Sequence, residues 1–400
     1  MTRHPAPAEG RIRKVTITAR ELNRATLARQ LLLRREPLGA AEAVRRLLAL
    51  QAQQPASPYL ALWNRLDGFD PAALDDAFAD RTLLKATLLR ITLHAVHSDD
   101  YRTVREAMQP TLYSSRLGHR FAAAGLTPAD AAELEPGLLE FAGRPRSNGD
   151  LAGWLAERVG AERKDGAWWG LRSYAPLVHV PTGGPWSFGY SPAYVAAPEG
   201  RFTGEPEAAL RTLVLRYLAA FGPASVADIA QFATVQRLRV RDALQALGET
   251  VEELAGPERQ SLYDVRGGLR PSADTPAPPR LLPMWDSVLL AYDDRDRVIP
   301  PEYRRLVIRT NGDVLPALLV DGYVAGVWRP VEGGIEATAF HRLPAPAWDA
   351  LSDEARALTA FLADREPTVY RRYGHWWSKL PHAQVRVLTG EGRPDRARPR

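Results

Sequence analysis

The amino-acid sequence predicts a mainly α chain with β structure, of the α+β class. Three observations carry this. Capped helical runs fill the first two-thirds of the 400 residues, short apolar runs of strand character follow several of them, and the composition turns to β beyond a proline-rich junction, "ADTPAPPR" at 273–280. With 45% hydrophobic and 25% charged residues, the chain has the composition of a globular protein with a sizeable core and room for two or three domains.

Thr18-Ala-Arg-Glu21 is a capping-box signature, and the run after it carries Leu22, Ala25, Ala28 and Leu32 at helical spacing, which predicts a first helix. "PLGAAEAVRRLLAL" predicts a second, with Val44, Leu47 and Leu48 on one side, and Ser57-Pro58 is expected to cap a third over "YLALWNRL". Asp70-Pro71 opens a fourth, "AALDDAFAD"; "LLKATLLRITLHAVHS" then looks like two short strands or a hairpin. Several short helices followed by a small β-ribbon is the order of a winged helix.

The order recurs. "SNGDLAGWLAERVG" at 147–160 precedes the strand-like "YAPLVHVP" and "WSFGYSPAYVAA". In the clearest copy, a helix runs to Phe221, a Gly-Pro break follows, Ser225 caps a short helix and Thr234 is expected to cap the next, which matches helix-turn-helix spacing. Past the junction, "LLPMWDSVLLAY", "RRLVIRT" and "LPALLVDGYVAGVWRP" read as β, the last with an Asp321-Gly322 hairpin turn; a helix near 351–365 and a strand near 384–388 close the chain. The expected divisions are a basic flexible N-terminus (1–15), three winged-helix units (16–115, 116–200, 201–272), a β-rich C-terminal region (273–389) and a flexible tail (390–400).

The net charge of +5 sits at the ends: residues 1–20 and 390–400 together carry +6, and the body is near −1. A polyanion would therefore be met by local patches, not by a uniformly basic body. Only four of the 52 basic residues are lysine, a skew that fits GC-rich coding better than phosphate binding. No cysteine is present, so disulfides, thiolate zinc sites and cysteine nucleophiles are excluded. No run of eighteen apolar residues exists and the first residues lack an apolar signal-peptide core, so a cytoplasmic chain off the membrane is expected.

The stretch "LLALQAQQPASPYLALWNRL" places Gln51 and Gln53 two apart before Pro55. Pro55 pushes Gln54 out of the α-region, so the helix should end near Leu50 to Ala52, and extended chain would turn both amides to one side. Spacing alone favours a helix terminus whose polar side chains hold loop carbonyls. In "LLRITLHAVHSDD", Arg90, Thr92 and His94 would share a strand face and could touch phosphate or a base, or hydrogen-bond a neighbouring strand. His94, His97, Asp99 and Asp100 fit no familiar metal spacing, and Ser-Asp-Asp reads as a helix cap. Arg237 and Arg241 lie one turn apart on the helix after the third helix-turn-helix, as phosphate contacts or as a solvated face. Asp286 is expected to be a structural acceptor.

Taken together, "LALQAQ…SPY", "LRITLHAVHSDDY", "APLVHVP", "FGPASVADIAQF" and "LLPMWDSVLLAY…PALLVDGYVAGVW" resemble the HTH_42 winged-helix family, that of the AlkZ-like and YcaQ-like bacterial DNA glycosylases, over roughly residues 15–390. The resemblance implies three tandem winged-helix motifs around a DNA-sized concavity. It implies excision of bulky N7-alkylated guanine, with crosslinked adducts included, on double-stranded DNA in the bacterial nucleoid, without metal or cofactor. Gln51-Ala52-Gln53 matches the catalytic Gln-aliphatic-Gln signature of the AlkZ-like branch, with a small middle residue that bears on substrate range. Two neutral amides suit that chemistry. They cannot exchange protons at pH 7, but an N7-alkylated base is already cationic and leaves neutral, so the protein need only stabilise an oxocarbenium-like sugar and position water. A monofunctional enzyme acting as a monomer, with no protein partner, is expected. The competing reading is a non-catalytic winged-helix regulator or architectural protein; no heptad run for a dimerising helix supports it.

Overall fold

The computed structural model describes residues 15–189, 191–198 and 204–389. The flexible ends expected at 1–15 and 390–400 fall almost wholly outside them. The fold is mixed α and β with antiparallel sheets. In order come α1 (Ala19–Arg29), α2 (Ala40–Arg46), β1 (Leu50–Gln51), α3 (Ser57–Trp63), α4 (Pro71–Ala79), β2 (Leu83–Thr87), β3 (Leu93–His97), α5 (Ser98–Arg116), α6 (His119–Ala123), α7 (Pro128–Phe141), β4 (Arg146–Ser147), α8 (Asn148–Val159), α9 (Lys164–Tyr174), β5 (Leu177–Val180) and β6 (Ala193–Ala196). There follow α10 (Pro206–Phe221), α11 (Val226–Ala233), α12 (Arg237–Leu247), β7 (Val251–Ala255), β8 (Ser261–Val265), β9 (Arg280–Leu281), α13 (Arg304–Val307), β10 (Ala317–Val320), β11 (Tyr323–Val331), β12 (Gly334–Ala339), α14 (Ala345–Ala363) and β13 (Gln384–Thr389).

Helix starts follow local chemistry closely. Thr18, Thr127, Ser147 and Ser225 each close a complete capping box with the acid three residues on, and Asp70 caps α4. Two expected caps are otherwise employed. Ser57 begins α3 without capping it and exchanges a 2.9 Å hydrogen bond with the Tyr370 hydroxyl; Thr234 is the left-handed C-cap of α11, and Gln236 precedes α12. Before α5, His97 does the capping, with its Nδ1 accepting from the Asp99 amide.

The first two ribbons do not stand apart. They merge in one six-stranded sheet of order β1-β3-β2-β5-β6-β4, joined where Lys85 of β2 pairs with His179 of β5. The sheet divides two cores. Leu50, Leu83 and Ala95 face the one shared with α3 and the C-terminal region, while Leu84, Ala86 and Val96 face the one built by α5 to α12. A second sheet of order β13-β12-β11-β10-β9 forms the C-terminal region, and β7 pairs with β8 beside α12.

Part of the C-terminal expectation fails. Of "LLPMWDSVLLAY" only Leu281 is in a strand; the rest is a wholly buried irregular segment with a helical turn at Ser287–Leu289. "RRLVIRT" holds the short helix α13 rather than a strand. Short buried apolar runs look alike to periodicity whatever their backbone does. The last helix begins at Ala345, earlier than expected.

What holds the irregular segment is charge. Asp286 accepts from Arg65 Nη1 and Nη2, both at 2.8 Å, and the pair has no exposed side-chain surface. Arg65 spends its remaining donors on Gln30 O and Ala61 O, which ties α1, α3 and the segment together. The Asp321-Gly322 turn joins β10 to β11 as expected, but it is clamped on α1: Asp321 binds Arg20 and Arg24, and Asn23 donates to Gly322 O at 2.8 Å. It is packed, not free to probe a groove.

Removing one partner of a fully buried pair strands the other charge in the core. Asp286→Ala is expected to lower unfolding free energy by about 3–5 kcal/mol, read as the urea midpoint at constant m. A loss below about 1 kcal/mol would show that Arg65 finds water or another acceptor.

Candidate active site

Neither glutamine is on a helix end: Gln51 closes a two-residue strand, and Gln53 lies in the bend beyond it. Helix α2 stops at Arg46, and Leu48, at φ +70°, turns the chain into the sheet, a conformation that costs an L-residue roughly 1–2 kcal/mol. The chain then pairs with β3, Leu50 with Ala95 and Gln51 with His94, and the Ala52 amide donates to Leu93 O at 2.8 Å. The open edge of β3 thus ends the helix several residues earlier than Pro55 alone would. Leu50 and Ala52 point into the first core, so Gln51 faces the opposite way. Ala52 is packing, and its small size bears on that core rather than on anything Gln51 touches. Gln51 is 5% exposed; Gln53 is exposed, and its amide has no hydrogen-bond partner among the described residues. Gln54 is anchored by donating to the Tyr373 hydroxyl at 2.7 Å.

Arg90 is not on the strand face expected for it. It lies in the turn between β2 and β3, where Arg90 (φ +53°) and Ile91 (φ +55°) are both left-handed. Such a turn ordinarily takes Asn or Gly, and a β-branched residue there is an outlier that only the surroundings can enforce. Thr92 holds it by donating its hydroxyl to Leu89 O at 3.1 Å. The turn folds Arg90 inward so that Nη2 donates to Gln51 Oε1 and, at 3.2 Å, meets His94 Nε2, while the guanidinium lies over the Phe232 ring at 5.1 Å. Nη1 is closed off from solvent and finds no partner. Burial, with Arg295 nearby, pulls Arg90 down to about 9, which leaves it charged at neutral pH.

His94, expected to face outward beside Arg90, has no exposed surface. Its Nδ1 lies 3.1 Å from Thr92 O, a group that can only accept, so Nδ1 carries the proton and Nε2 receives Arg90. Burial and then Arg90 hold its pKa well below the ordinary 6.5. His94 is a neutral support for Arg90, not a cation turned to a ligand.

Arg237 and Arg241 are exposed on α12, with Arg237 3.6 Å from Asp293, while Arg239 between them pairs with Glu207 at 2.9 Å. They are not part of the Gln51 cluster. Sequence reasoning missed Phe232 and Arg295, which reach that cluster from α11 and from the loop before α13, and Ser287, whose hydroxyl donates to Ala49 O at 3.1 Å and so braces the chain entering β1. No local signal marks them.

Lys85 could have approached the glutamines, and the register forbids it. Lys85 pairs with Ala95, whereas Ala86 pairs with His94, so Lys85 points to the opposite face from Gln51. There its ammonium lies 4.2 Å from the Phe188 ring centroid. The Gln51 side of the sheet therefore offers a neutral amide, a neutral imidazole and a guanidinium with no ion pair among the described residues, and the exposed Gln53 lies in the bend beyond the strand. It can orient polar groups and attract an anion; it holds no base that titrates near neutrality. Among the described residues no three His, Asp or Glu side chains gather as a metal site, and no helix is long and apolar enough to cross a membrane.

A family model described as DNA glycosylase AlkZ-like matches residues 44–361. The interstrand DNA cross-link repair glycosylase of Streptomyces sahachiroi is 28% identical over 342 residues, covering 80% of this chain and 91% of the relative. The solved structure of Streptomyces sahachiroi DNA glycosylase AlkZ matches with a TM-score of 0.75 at 23% identity, over 86% of this chain and 96% of that one, so the fold is shared.

Lys85 yields a test of the register. Burial pushes it from 10.5 down to about 8, so between these values the unfolded chain binds more protons than the folded one and stability rises with pH. Below about 8 the buried ammonium costs its full amount, on the order of 3 kcal/mol. Lys85→Met should therefore be more stable than wild type at pH 7, with the advantage shrinking toward pH 10.5 in urea titrations. A destabilised variant at pH 7 would contradict this placement.

Proposed function

This chain belongs to the DNA glycosylase AlkZ-like family and is a DNA glycosylase; on that premise we propose that it is a monofunctional enzyme excising bulky N7-alkylguanine from duplex DNA. The relative named for interstrand cross-link repair extends the proposal to unhooking crosslinked guanines, in repair or in self-resistance to an alkylating natural product. The single observation that carries it is a Gln51 locked by Arg90 on a sheet face with no titrating base, two residues before an exposed Gln53 without a hydrogen-bond partner among the described residues.

The division of labour follows from the contacts. Gln53, free and exposed, orients the attacking water; Gln51, with its carbonyl fixed by Arg90, offers its remaining lone pair to the sugar as positive charge develops there. Leaving-group help is not needed, because an N7-alkylated guanine departs neutral. Arg90 bears the same sign as an oxocarbenium-like centre, a repulsion that the negative charge of a seated DNA backbone offsets. The substrate thus supplies the missing counter-charge, so the lesion is attacked only once the backbone is seated.

In the same reading, the three successions of helices and ribbon, α1 to β3, α7 to β6 and α10 to β8, are winged-helix modules of the HTH_42 type, with Arg237 and Arg241 of the third facing phosphate. The protein works as a monomer in the bacterial nucleoid without a cofactor. Strand scission does not accompany base release, because the amine at Lys85 lies across the sheet from the glutamines.

On a duplex carrying one bulky N7-alkylguanine, release of the modified base and an intact, alkali-labile strand are expected, with chelator tolerated. Gln53→Ala should slow single-turnover excision about a hundredfold, the scale of losing one preorganised polar group, with duplex affinity nearly unchanged; Gln51→Ala should behave similarly. Excision by both variants at the wild-type rate would reduce the motif to a structural strand. The single-turnover rate should also be flat from about pH 6 to 8, since His94 stays neutral there and Arg90 stays charged. A limb near 6.5 would show that a histidine takes part.

A further inference from the structure

Three cations lie beyond the Arg90 turn, on the second unit, and none of them is ion-paired with a carboxylate among the described residues. Arg116, in the last turn of α5, donates from Nη2 to Ile91 O at 3.4 Å, the carbonyl next to Arg90 in the strained turn. Its guanidinium lies 4.8 Å from the centre of the Trp169 ring, and the Arg120 guanidinium, from α6, lies 5.4 Å from the same ring. Arg172, three residues beyond Trp169 on α9, is exposed and close enough to Arg116 to depress it further. Many arginines elsewhere are matched by carboxylates, as in Arg29 with Asp264, Arg35 with Glu354 and Arg365 with Asp75.

The packing that creates this grouping is specific. A Cβ on Gly170 would stand 2.6 Å from the Phe121 ring and 2.9 Å from Arg116 O, and one on Gly166 would stand 2.4 Å from Ala124 Cβ. Two glycines on α9 thus let α6 and the end of α5 approach closely enough to put both guanidiniums against Trp169. A cation–π contact uses the face of a guanidinium and leaves its N–H edge free, so the indole orders the two forks without consuming their donors. Ordered, unpaired forks of this kind suit phosphate oxygens.

We propose that Arg116 and Arg120, ordered against Trp169, together with Arg172 on the same helix as that ring, form a phosphate track that continues from the Arg90 turn and grips the DNA backbone flanking the lesion. The proposal rests on the DNA glycosylase reading above. It places part of the DNA footprint on the second unit, on helices α5, α6 and α9, at residues that play no part in bond breaking.

The test is duplex binding by fluorescence anisotropy on an undamaged oligonucleotide of about 25 base pairs, titrated from about 50 to 200 mM salt. Arg120→Gln/Arg172→Gln, both at exposed positions, and Arg116→Gln/Arg120→Gln should each lose affinity whatever the sequence. Each should flatten the slope of log Kobs against log salt by about one per arginine removed. Single-turnover excision at saturating protein should stay within about twofold of wild type, because the track seats DNA and does not touch the reacting atoms. Arg356→Gln, on the outer face of α14, should leave slope and affinity unchanged. Wild-type affinity and slope in both double variants, with wild type itself binding, would overturn the track while leaving the enzyme reading intact. Failure of wild type to bind duplex DNA at all would overturn both.

Discussion

The buried pair of Arg65 and Asp286 is the constraint on which the site depends. It has no access to water, so it is favourable only because its geometry is complete: two bonds to the carboxylate and one each to two backbone carbonyls. That geometry fixes the segment at Ser287–Leu289, and Ser287 in turn holds Ala49 O, two residues before Gln51. A charge pair in the middle of the molecule therefore braces the chain where the Gln51 strand begins. The same region shows why α1 is buried on nearly all sides although its residues are polar: Asn23, Arg24, Thr26, Arg29 and Gln30 all find partners in later parts of the chain.

Charge is distributed with a purpose visible only in three dimensions. Many arginines of the body meet carboxylates, as Arg29 meets Asp264 and Arg365 meets Asp75. Around the turn at Arg90 they do not. Arg90, Arg116, Arg120 and Arg172 have no ion-paired carboxylate among the described residues, and burial, with Arg295 beside Arg90 and Arg172 beside Arg116, lowers the proton affinity of the first two. Such a concentration is unfavourable in the free protein. A polyanion relieves it, and the affinity gained is correspondingly sensitive to salt.

Strain gathers at the same place. Leu48, Arg90 and Ile91 all adopt left-handed backbone, and each is flanked by structure that fixes it: the sheet takes up the chain after Leu48, and the Leu88 to Thr92 hydrogen bonds close the turn. Regular conformations at these positions would give a longer α2 and a splayed ribbon, with Gln51 and Arg90 apart. The strained versions bring them into contact.

The sequence by itself determined the local events and, through the motif, the family. Thr18, Asp70, Ser147 and Ser225 cap the helices their neighbours predict, because a cap needs only groups three residues apart; Thr127 with Asp130 carried the same signal for α7. The ribbon at 83–97 and the hairpin at Asp321 were equally legible from alternation and turn chemistry. Gln51 and Gln53 stood out as a pair, but only a family resemblance gave them a role. Tertiary structure decided the rest. Whether Gln51 ends a helix or joins a strand depends on the free edge of β3, and Arg90 reaches it through a turn that its own residue types disfavour. Lys85 is kept away by a one-residue register that the sequence does not encode locally. Phe232 and Arg295 arrive from well over a hundred residues away, and no period or cap reports a contact of that range, because the energy that places them comes from burial shared across the whole fold.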